Sequence, residues 1–161
     1  MNQVNQVNLA DLADSPLFKG LAKKEIEYLG TIFSARQVSE GKTVFIENMP
    51  GESLYLIKRG TVRISQMLAE GDEQILIVLG VGDVFGELAV IDGGVRATSA
   101  RIAEDAILYG LSRKDFDKLA STNPRLGMQL MMNVVRMFTA RMRAAKNNYQ
   151  AMLKTLLNRK D

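Results

Sequence analysis

An acidic and a basic side chain stand nine residues apart in the most informative stretch of the chain, where Gly86 is followed by Glu87 and later by Arg96. A carboxylate accepts hydrogen bonds from sugar hydroxyls, and a guanidinium group offers a fixed fork of donors that suits a phosphate. Gly86 lets the backbone approach a ligand closely, and a short helical turn after it would present free N–H groups to an anion. These residue types together predict a pocket for a ribose phosphate.

Two missing residue types exclude most catalytic sites. The 161-residue chain contains no histidine and no cysteine, so it has no Ser-His or Cys-His nucleophile pair and lacks the commonest metal ligand and general base. A cupin-like metalloenzyme, which would share the strand pattern described below, is disfavoured for the same reason. A carboxylate-only Mg²⁺ or Ca²⁺ site stays open, although no spacing resembles an EF-hand loop. We expect a binding protein that is not an enzyme and has no catalytic residue, metal or cofactor.

Short strands must position this pocket. Between about residues 36 and 111, runs rich in Val, Ile, Leu, Phe and Tyr are separated by glycines, a texture typical of a sandwich, roll or barrel. The fold class predicted is mainly β with helices: an antiparallel, jelly-roll-like β-roll of about eight strands. The clearest strands are expected at 43–46, 54–57, 61–64, 74–79 and 106–109.

Helices are expected on both sides of the roll. Residues 11–34 predict one or two short helices, with Ser15 as a cap and Pro16 in the first turn. Ser112 is the expected N-cap of a later helix, and Pro124 is expected in the first turn of a last, long helix. We therefore expect two units: residues 1–122 form the roll with its N-terminal helices, and residues 123–161 form a long helix that acts as lid and dimerisation element.

The last helix carries an apolar seam whose members are spaced alternately three and four residues apart, as in a coiled coil. The seam consists of Met128, Met131, Val135, Phe138, Met142, Ala145, Tyr149, Met152 and Leu156. Leu130, Val134 and Met137 add a second flank that could cover the roll while the seam meets another chain. A homodimer through this helix is the simplest closed solution. The alternative is that the whole stripe packs on its own domain, although about 35 helical residues span ~50 Å, longer than such a domain.

Charge is distributed unevenly along the chain. Residues 125–161 contain eight basic residues and one acidic residue, whereas the rest of the chain has a net charge of −4. This basic segment could dock on nucleic acid or on an acidic partner, but a solvated helix face is the interpretation that we favour, and direct DNA binding is not expected. The N-terminus lacks the pattern of a signal peptide, and no apolar run is long enough to cross a membrane. We therefore expect a cytoplasmic protein without membrane contact.

The pocket stretch also resembles a known motif. Phe85-Gly86-Glu87-Leu88-Ala89, followed by Arg96-Ala97-Thr98, is similar to the phosphate-binding cassette of cyclic-nucleotide-binding domains, found in protein kinase A regulatory subunits, cyclic-nucleotide-gated channels and bacterial catabolite activator proteins. The resemblance implies that Glu87 binds the ribose 2′-hydroxyl, that Arg96 binds the cyclic phosphate and that the other cassette residues contribute mainly backbone contacts. Val95 stands where proline is frequent and Thr98 where alanine is common, but neither departure removes a charged contact.

The resemblance also bears on the nucleotide. Family members that prefer cGMP often have threonine directly after the arginine, and Ala97 at that position favours cAMP over cGMP. The long helix would cover the purine, with Arg136 or Arg141 stacking on it or donating hydrogen bonds. Three apolar residues are expected either to line the pocket or to be plain core: Ile64, Leu76 and Leu79.

The function expected from this resemblance is that of a sensor, whose nucleotide binds best when the long helix is docked and so shifts the population of helix positions. The alternative is the sensory part of a Crp/Fnr-type transcription regulator without its DNA-binding domain, because the chain ends at Asp161 with no room for a helix-turn-helix region. The sequence does not separate a stand-alone module from a trimmed one, and it does not indicate the downstream effector.

Overall fold

The computed structural model describes residues 6–68 and 71–157 and, within the last helix, leaves out the side chains of Met152 and Leu156. Six antiparallel strands form one sheet with the order β1-β6-β3-β4, in which β2 pairs with β6 and β5 pairs with β3. The strands are β1 (Ser34–Val38), β2 (Thr43–Phe45), β3 (Ser53–Met67), β4 (Glu73–Leu79), β5 (Val84–Phe85) and β6 (Ser99–Ser112). The antiparallel β-fold with flanking helices is thereby confirmed.

The helical elements that begin at Pro16, Arg113 and Pro124 start where the sequence signals predicted. Two 3₁₀ turns (Ala10–Leu12, Pro16–Phe18) precede α1 (Lys23–Leu29), α2 (Glu87–Asp92), α3 (Arg113–Thr122) and α4 (Pro124–Leu157). The Ser15 hydroxyl accepts a hydrogen bond from the N–H of Leu17, and the Ser112 hydroxyl accepts one from the N–H of Asp115. These caps satisfy N–H groups that have no partner inside their helices. Helix α4 has 34 residues and is about 51 Å long at 1.5 Å per residue.

Residues 6–68 and 71–157 contain six strands, not the expected eight. Segments 54–57 and 61–64 were predicted as two strands, but both belong to β3, which continues through Gly60. Gly60 has a φ of 83°, and a Cβ at this position would lie 2.7 Å from the carbonyl oxygen of Glu104. The pairing of β3 with β6 shifts register around this glycine. Gly60 therefore makes an irregularity inside one long strand rather than a hairpin turn.

Alternation along β3 divides the core in two. Leu54 and Leu56 join a cluster that also contains the N-terminal turns, α1, α3 and the first part of α4. Ile57 belongs to a second cluster built from strand residues, and Tyr55 packs against it. Successive side chains of a strand point to opposite faces, so one strand serves both clusters.

Helix α4 has two different environments along its length. Leu126, Leu130 and Val134 are buried in the first cluster, whereas the residues after Arg141 are exposed wherever the structure describes their side chains. None of the helices within residues 6–68 and 71–157 combines the length and hydropathy needed to cross a lipid bilayer. The division into units at residues 122 and 123 stays a prediction.

Candidate functional site

A cavity of about 570 Å³ lies between the β-sheet and α4. Its walls come from strands β2 to β5, from α2 and the loop that follows it, and from the middle of α4. The lining residues are Phe45, Ile64, Leu76, Ile77, Leu79, Phe85, Gly86, Glu87, Leu88, Ala89, Arg96, Ala97, Thr98, Phe138, Arg141, Met142, Ala144, Ala145 and Asn148. Apolar side chains thus surround three charged ones among these described lining residues: Glu87, Arg96 and Arg141.

Gly86 and Glu87 form the turn into α2. Gly86 is the N-cap of the helix and has a φ of 74°, in the left-handed region that favours glycine. A Cβ at this position would also lie 2.7 Å from Nη1 of Arg96, so a side chain here would displace the arginine. Glu87 is the first residue of α2 and is only 7% exposed. The predicted short helical turn after Gly86 is therefore present, with the carboxylate at its start.

Arg96 is held by both its backbone and its side chain. Its N–H donates to the carbonyl oxygen of Met49, and its own carbonyl accepts from the N–H of Asn48, each at 2.8 Å. Its Nη1 donates to the carbonyl oxygen of Gly86 at 2.9 Å, and the guanidinium carbon lies 4.1 Å from the centre of the Phe45 ring. This cation–π contact and the hydrogen bond fix the plane of the guanidinium group beside the cavity.

A buried donor of Arg96, its Nε, has no partner among the described residues. The side chain is 5% exposed. Burial lowers the pKa of Arg96, whereas Tyr55 and Glu87 raise it, but an arginine stays charged at neutral pH. Room for the side chain comes from Gly51, where a Cβ would lie 2.7 Å from Cδ of Arg96. A buried, charged and incompletely paired guanidinium beside a cavity suits an anionic ligand.

The Glu87 carboxylate faces two cations. Its Oε1 lies 3.4 Å from Nη1 of Arg141, a residue of α4, and Arg96, whose Nη1 binds the carbonyl oxygen of the preceding residue, is the second cation near it. Burial raises the pKa of Glu87, while a hydrogen bond from its own backbone N–H, then Arg141 and then Arg96 lower it. The cavity thus combines a carboxylate that can accept hydroxyl hydrogen bonds with two guanidinium groups.

The structure brings together nearly all of the predicted site residues. The eight cassette residues line the cavity, as do Ile64, Leu76, Leu79 and Arg141. Arg136 does not: it lies at another pocket and donates to Oδ1 of Asn133 at 3.1 Å. Arg136 and Arg141 are five positions apart in the sequence, which places them about 140° apart around the helix. The structure therefore does not bring Arg136 together with the other predicted site residues, and its contact with the base stays a prediction.

Several cavity residues escaped the sequence analysis. Phe45 was predicted only as a strand residue, and no sequence signal places it under an arginine 51 positions later. Met142 and Ala145 were assigned to the apolar seam, and Asn148 was not singled out, yet all three line the cavity. Their spacing of three residues, which is close to one helical turn, could have indicated that the helix also closes the pocket. No group of three or more carboxylates that could hold a metal ion occurs within residues 6–68 and 71–157.

Comparison with known proteins assigns this site to a family. Residues 35–123, more than half of the chain, match the family model described as "Cyclic nucleotide-binding domain". The matched range contains the whole cassette and the strands that carry it.

Individual relatives agree with this match. The cyclic AMP receptor protein of Thermus thermophilus is 37% identical over 116 residues, which are 72% of this chain and 54% of that protein. A CRP-like cAMP-activated global transcriptional regulator of Mycobacterium tuberculosis is 31% identical over 85% of this chain and 59% of its own length. The crystal structure of Thermus thermophilus catabolite activator protein superposes with a TM-score of 0.75 at 33% identity, covering 86% of this chain and 63% of that one. The chain thus spans between half and three fifths of the length of the two curated relatives named here.

Proposed function

The chain belongs to the cyclic nucleotide-binding domain family, and on this premise we propose that it is a sensor that binds one cAMP molecule in the cavity between its sheet and α4. The observation that carries the proposal is the buried guanidinium of Arg96, whose Nε has no partner among the described residues. A cyclic phosphate would supply both the negative charge and the acceptor. The cavity volume of about 570 Å³ lies within the range of small-ligand sites, roughly 300–1,000 Å³.

In this proposal the phosphate and the ribose 2′-hydroxyl of the nucleotide each have a partner. Arg96 binds the cyclic phosphate, and Glu87 accepts a hydrogen bond from the ribose 2′-hydroxyl. The backbone around Gly86 and Ala97 supplies further contacts, and Leu76 and Leu79 form apolar walls. The chain contains no histidine and no cysteine for a Ser-His or Cys-His pair, so we propose binding without catalysis.

The choice of cAMP has two supports. Ala97 offers no hydroxyl to the amino group of a guanine, and the two curated relatives carry cyclic AMP in their names. The competing ligand is cGMP, which differs only in its base. Side-by-side titration with both nucleotides separates the two.

We further propose that the chain forms a homodimer through the second half of α4. Met142, Tyr149 and Leu157 are apolar or aromatic and between 57% and 67% exposed. In the neighbouring edge strand β4, the four consecutive apolar residues 75–78 are at least 40% exposed. Exposed apolar surface on this scale usually marks an interaction site. Two seams packed along a twofold axis would bury it.

The output that we propose is a change in the position of α4. The cavity contacts the cassette on one side and α4 on the other, so a bound nucleotide stabilises the arrangement in which both are docked. We place this activity in the cytoplasm. A second candidate function is that of the sensory part of a larger transcription regulator. It is favoured by the similarity to the regulators named above, because the chain matches only part of their length.

The test compares two arginines on either side of the start of β6. Arg96→Ala removes the buried guanidinium, whereas Arg101→Ala removes an exposed one. We expect Arg96→Ala to weaken the binding of a fluorescent cAMP analogue by more than about 100-fold, since a charge-assisted contact and the phosphate's buried counter-charge are both lost. Arg101→Ala should bind like the unaltered protein. Equal affinity of both variants, with unchanged circular dichroism, would remove Arg96 from the phosphate role.

A further inference from the structure

Arg96 is a buried cation that is stabilised by neutral groups. Its side chain is 5% exposed, and none of the ion pairs between the described residues includes it. Its Nη1 donates to the carbonyl oxygen of Gly86, and its guanidinium carbon lies 4.1 Å from the centre of the Phe45 ring. Burying a charge is costly unless it is paired, and buried arginines usually pair with carboxylates for this reason. Here a ring and a carbonyl group take the place of the carboxylate.

We propose that Phe45 is a positioning residue for phosphate binding: its ring stabilises the buried guanidinium of Arg96 in the ligand-binding orientation and leaves the positive charge free for the ligand. This inference rests on the proposed function, because it takes Arg96 as the phosphate contact. Phe45 lines the cavity, but in this role it acts through Arg96 and needs no contact with the nucleotide.

An aromatic face attracts a cation without competing with an anionic ligand. The face of the ring is the negative pole of its quadrupole, and the attraction is strongest where water is excluded. A carboxylate at the same place would neutralise Arg96 and would have to be displaced before a phosphate could bind. Because Arg96 has a ring there instead, and because its Nε has no partner among the described residues, a phosphate meets both a full charge and a free donor.

The Phe45 ring is itself held by aromatic neighbours. Its centre lies 6.4 Å from that of Tyr55 on β3 and 5.9 Å from that of Phe85 on β5. Gly86 leaves room for the ring and for the arginine, since a Cβ there would lie 3.1 Å from Cε1 of Phe45 and 2.7 Å from Nη1 of Arg96. These contacts fix the ring through packing, which is what a positioning role requires.

The backbone after Phe45 holds the other end of the arginine. The loop between β2 and β3 turns at Asn48, whose φ of 65° lies in the left-handed region that asparagine enters more readily than most residues. Asn48 and Met49 then form two backbone hydrogen bonds with Arg96, each 2.8 Å long. One short segment, residues 45–49, thus places both the ring and the backbone of Arg96.

Glu87 is the group that would capture Arg96 if the ring were absent. It directly follows Gly86, and its charge already acts on Arg96. Pairing of the two would occupy the phosphate contact and the proposed ribose contact at the same time. The fraction of molecules in which Arg96 is ready to bind would then fall, and the apparent affinity would fall in proportion.

The test changes the ring in two ways and uses one matched control. Phe45→Leu removes the aromatic face and keeps an apolar side chain. Replacement of Phe45 by a trifluorinated phenylalanine keeps the ring and removes the negative character of its face, and it decides by itself if Phe45→Leu does not fold. The control is the same replacement at Phe33, a buried ring of the first core cluster that does not line the cavity.

Two quantities are measured. Calorimetry gives the affinity for cAMP, and NMR follows the Nε–H signal of Arg96 in the nucleotide-free protein. We expect Phe45→Leu to bind cAMP about tenfold more weakly, which corresponds to a fall of the binding-competent fraction to about one tenth. The fluorinated ring should weaken binding several-fold, although the ring itself is kept.

The NMR signal reports the stacking directly. A proton above an aromatic face is shielded by the ring, so the Nε proton of Arg96 should move downfield in Phe45→Leu. The fluorinated ring at position 45 should also shift this signal, because the guanidinium leaves a face that no longer attracts it. The fluorinated ring at Phe33 should change neither the affinity nor the signal.

Three results would overturn the proposal. Equal affinity of Phe45→Leu and the unaltered protein removes the role, and a loss in Phe45→Leu that the fluorinated ring does not share assigns Phe45 to packing alone. If the unaltered protein binds no cyclic nucleotide, the proposed function fails, and the NMR signal still decides on Phe45. An Nε–H signal of Arg96 at the same position in all variants would then mean that the ring does not hold the guanidinium.

Discussion

The two halves of α4 both carry apolar side chains, but these side chains have opposite surroundings. In the first half, Leu126, Leu130 and Val134 are no more than 2% exposed and belong to the core of the domain. In the second half, Met142 and Tyr149 belong to the apolar seam, which lies on another face of the helix, and are more than half exposed, as Met128 of the same seam is in the first half. A helical apolar pattern therefore indicates that a face of the helix is to be buried, but it does not indicate whether the same chain or another chain buries it.

A buried amide fixes the first half in place. Asn133 is 1% exposed, and its Nδ2 donates to the carbonyl oxygens of Leu17 at 2.8 Å and Lys19 at 2.9 Å. These bonds tie α4 to the N-terminal 3₁₀ turn. The cavity begins one turn later, at Phe138 and Arg141. A nucleotide bound there would sit at the junction of the two halves, where small changes in the helix would redirect its exposed end.

The largest expected effect is a difference in the free energy of unfolding between two Leu→Ala variants, one in each half of α4. Leu130→Ala should lower the free energy of unfolding by about 2–5 kcal/mol, because it leaves a cavity in a packed core. Leu153→Ala, at a side chain that is 39% exposed, should cost less than about 1 kcal/mol. Chemical denaturation at low protein concentration measures both.

This contrast can fail in one informative way. If Leu153→Ala costs as much as Leu130→Ala at every protein concentration, the second half packs on its own domain, which is the alternative left open by the sequence. A cost that grows with protein concentration would instead assign Leu153 to the contact between two chains.

A smaller effect is expected on association. Tyr149→Glu places a charge in the apolar seam and should weaken the dimer by more than about tenfold, because the two glutamates would meet across the twofold axis without partners. Gln150→Glu adds the same charge one residue along and should leave association unchanged. Analytical ultracentrifugation distinguishes the 17.8 kDa chain from a dimer. Dissociation by neither variant, or equally by both, would argue against this seam.

The comparison also shows where sequence reasoning stops. Caps such as Ser112 and the cassette around Glu87 depend on local chemistry, so the sequence located them within a residue or two. A glycine between two apolar runs gives the same sequence pattern in a hairpin turn and in a β-bulge, so Gly60 was predicted to be a turn. Only the pairing of β3 with β6 distinguishes the two, and the sequence does not report it.

Contacts across the fold were the other part that the sequence could not specify. Arg136 and Arg141 were equal candidates until the packing of Leu130 and Val134 fixed how the helix is rotated, which turns Arg141 toward the cavity. The stacking of Arg96 on Phe45 joins residues from different elements. No periodicity within either segment reports such a contact.

The most direct test of the central claim is calorimetric titration of the folded, nucleotide-free protein with cAMP and, separately, with cGMP. We predict saturable binding of one nucleotide per chain, with cAMP bound more tightly than cGMP, and no detectable binding of either to Arg96→Ala. Saturable binding of neither nucleotide by the unaltered protein would contradict the account, and the buried guanidinium of Arg96, whose Nε lacks a partner among the described residues, would then have to serve another anion.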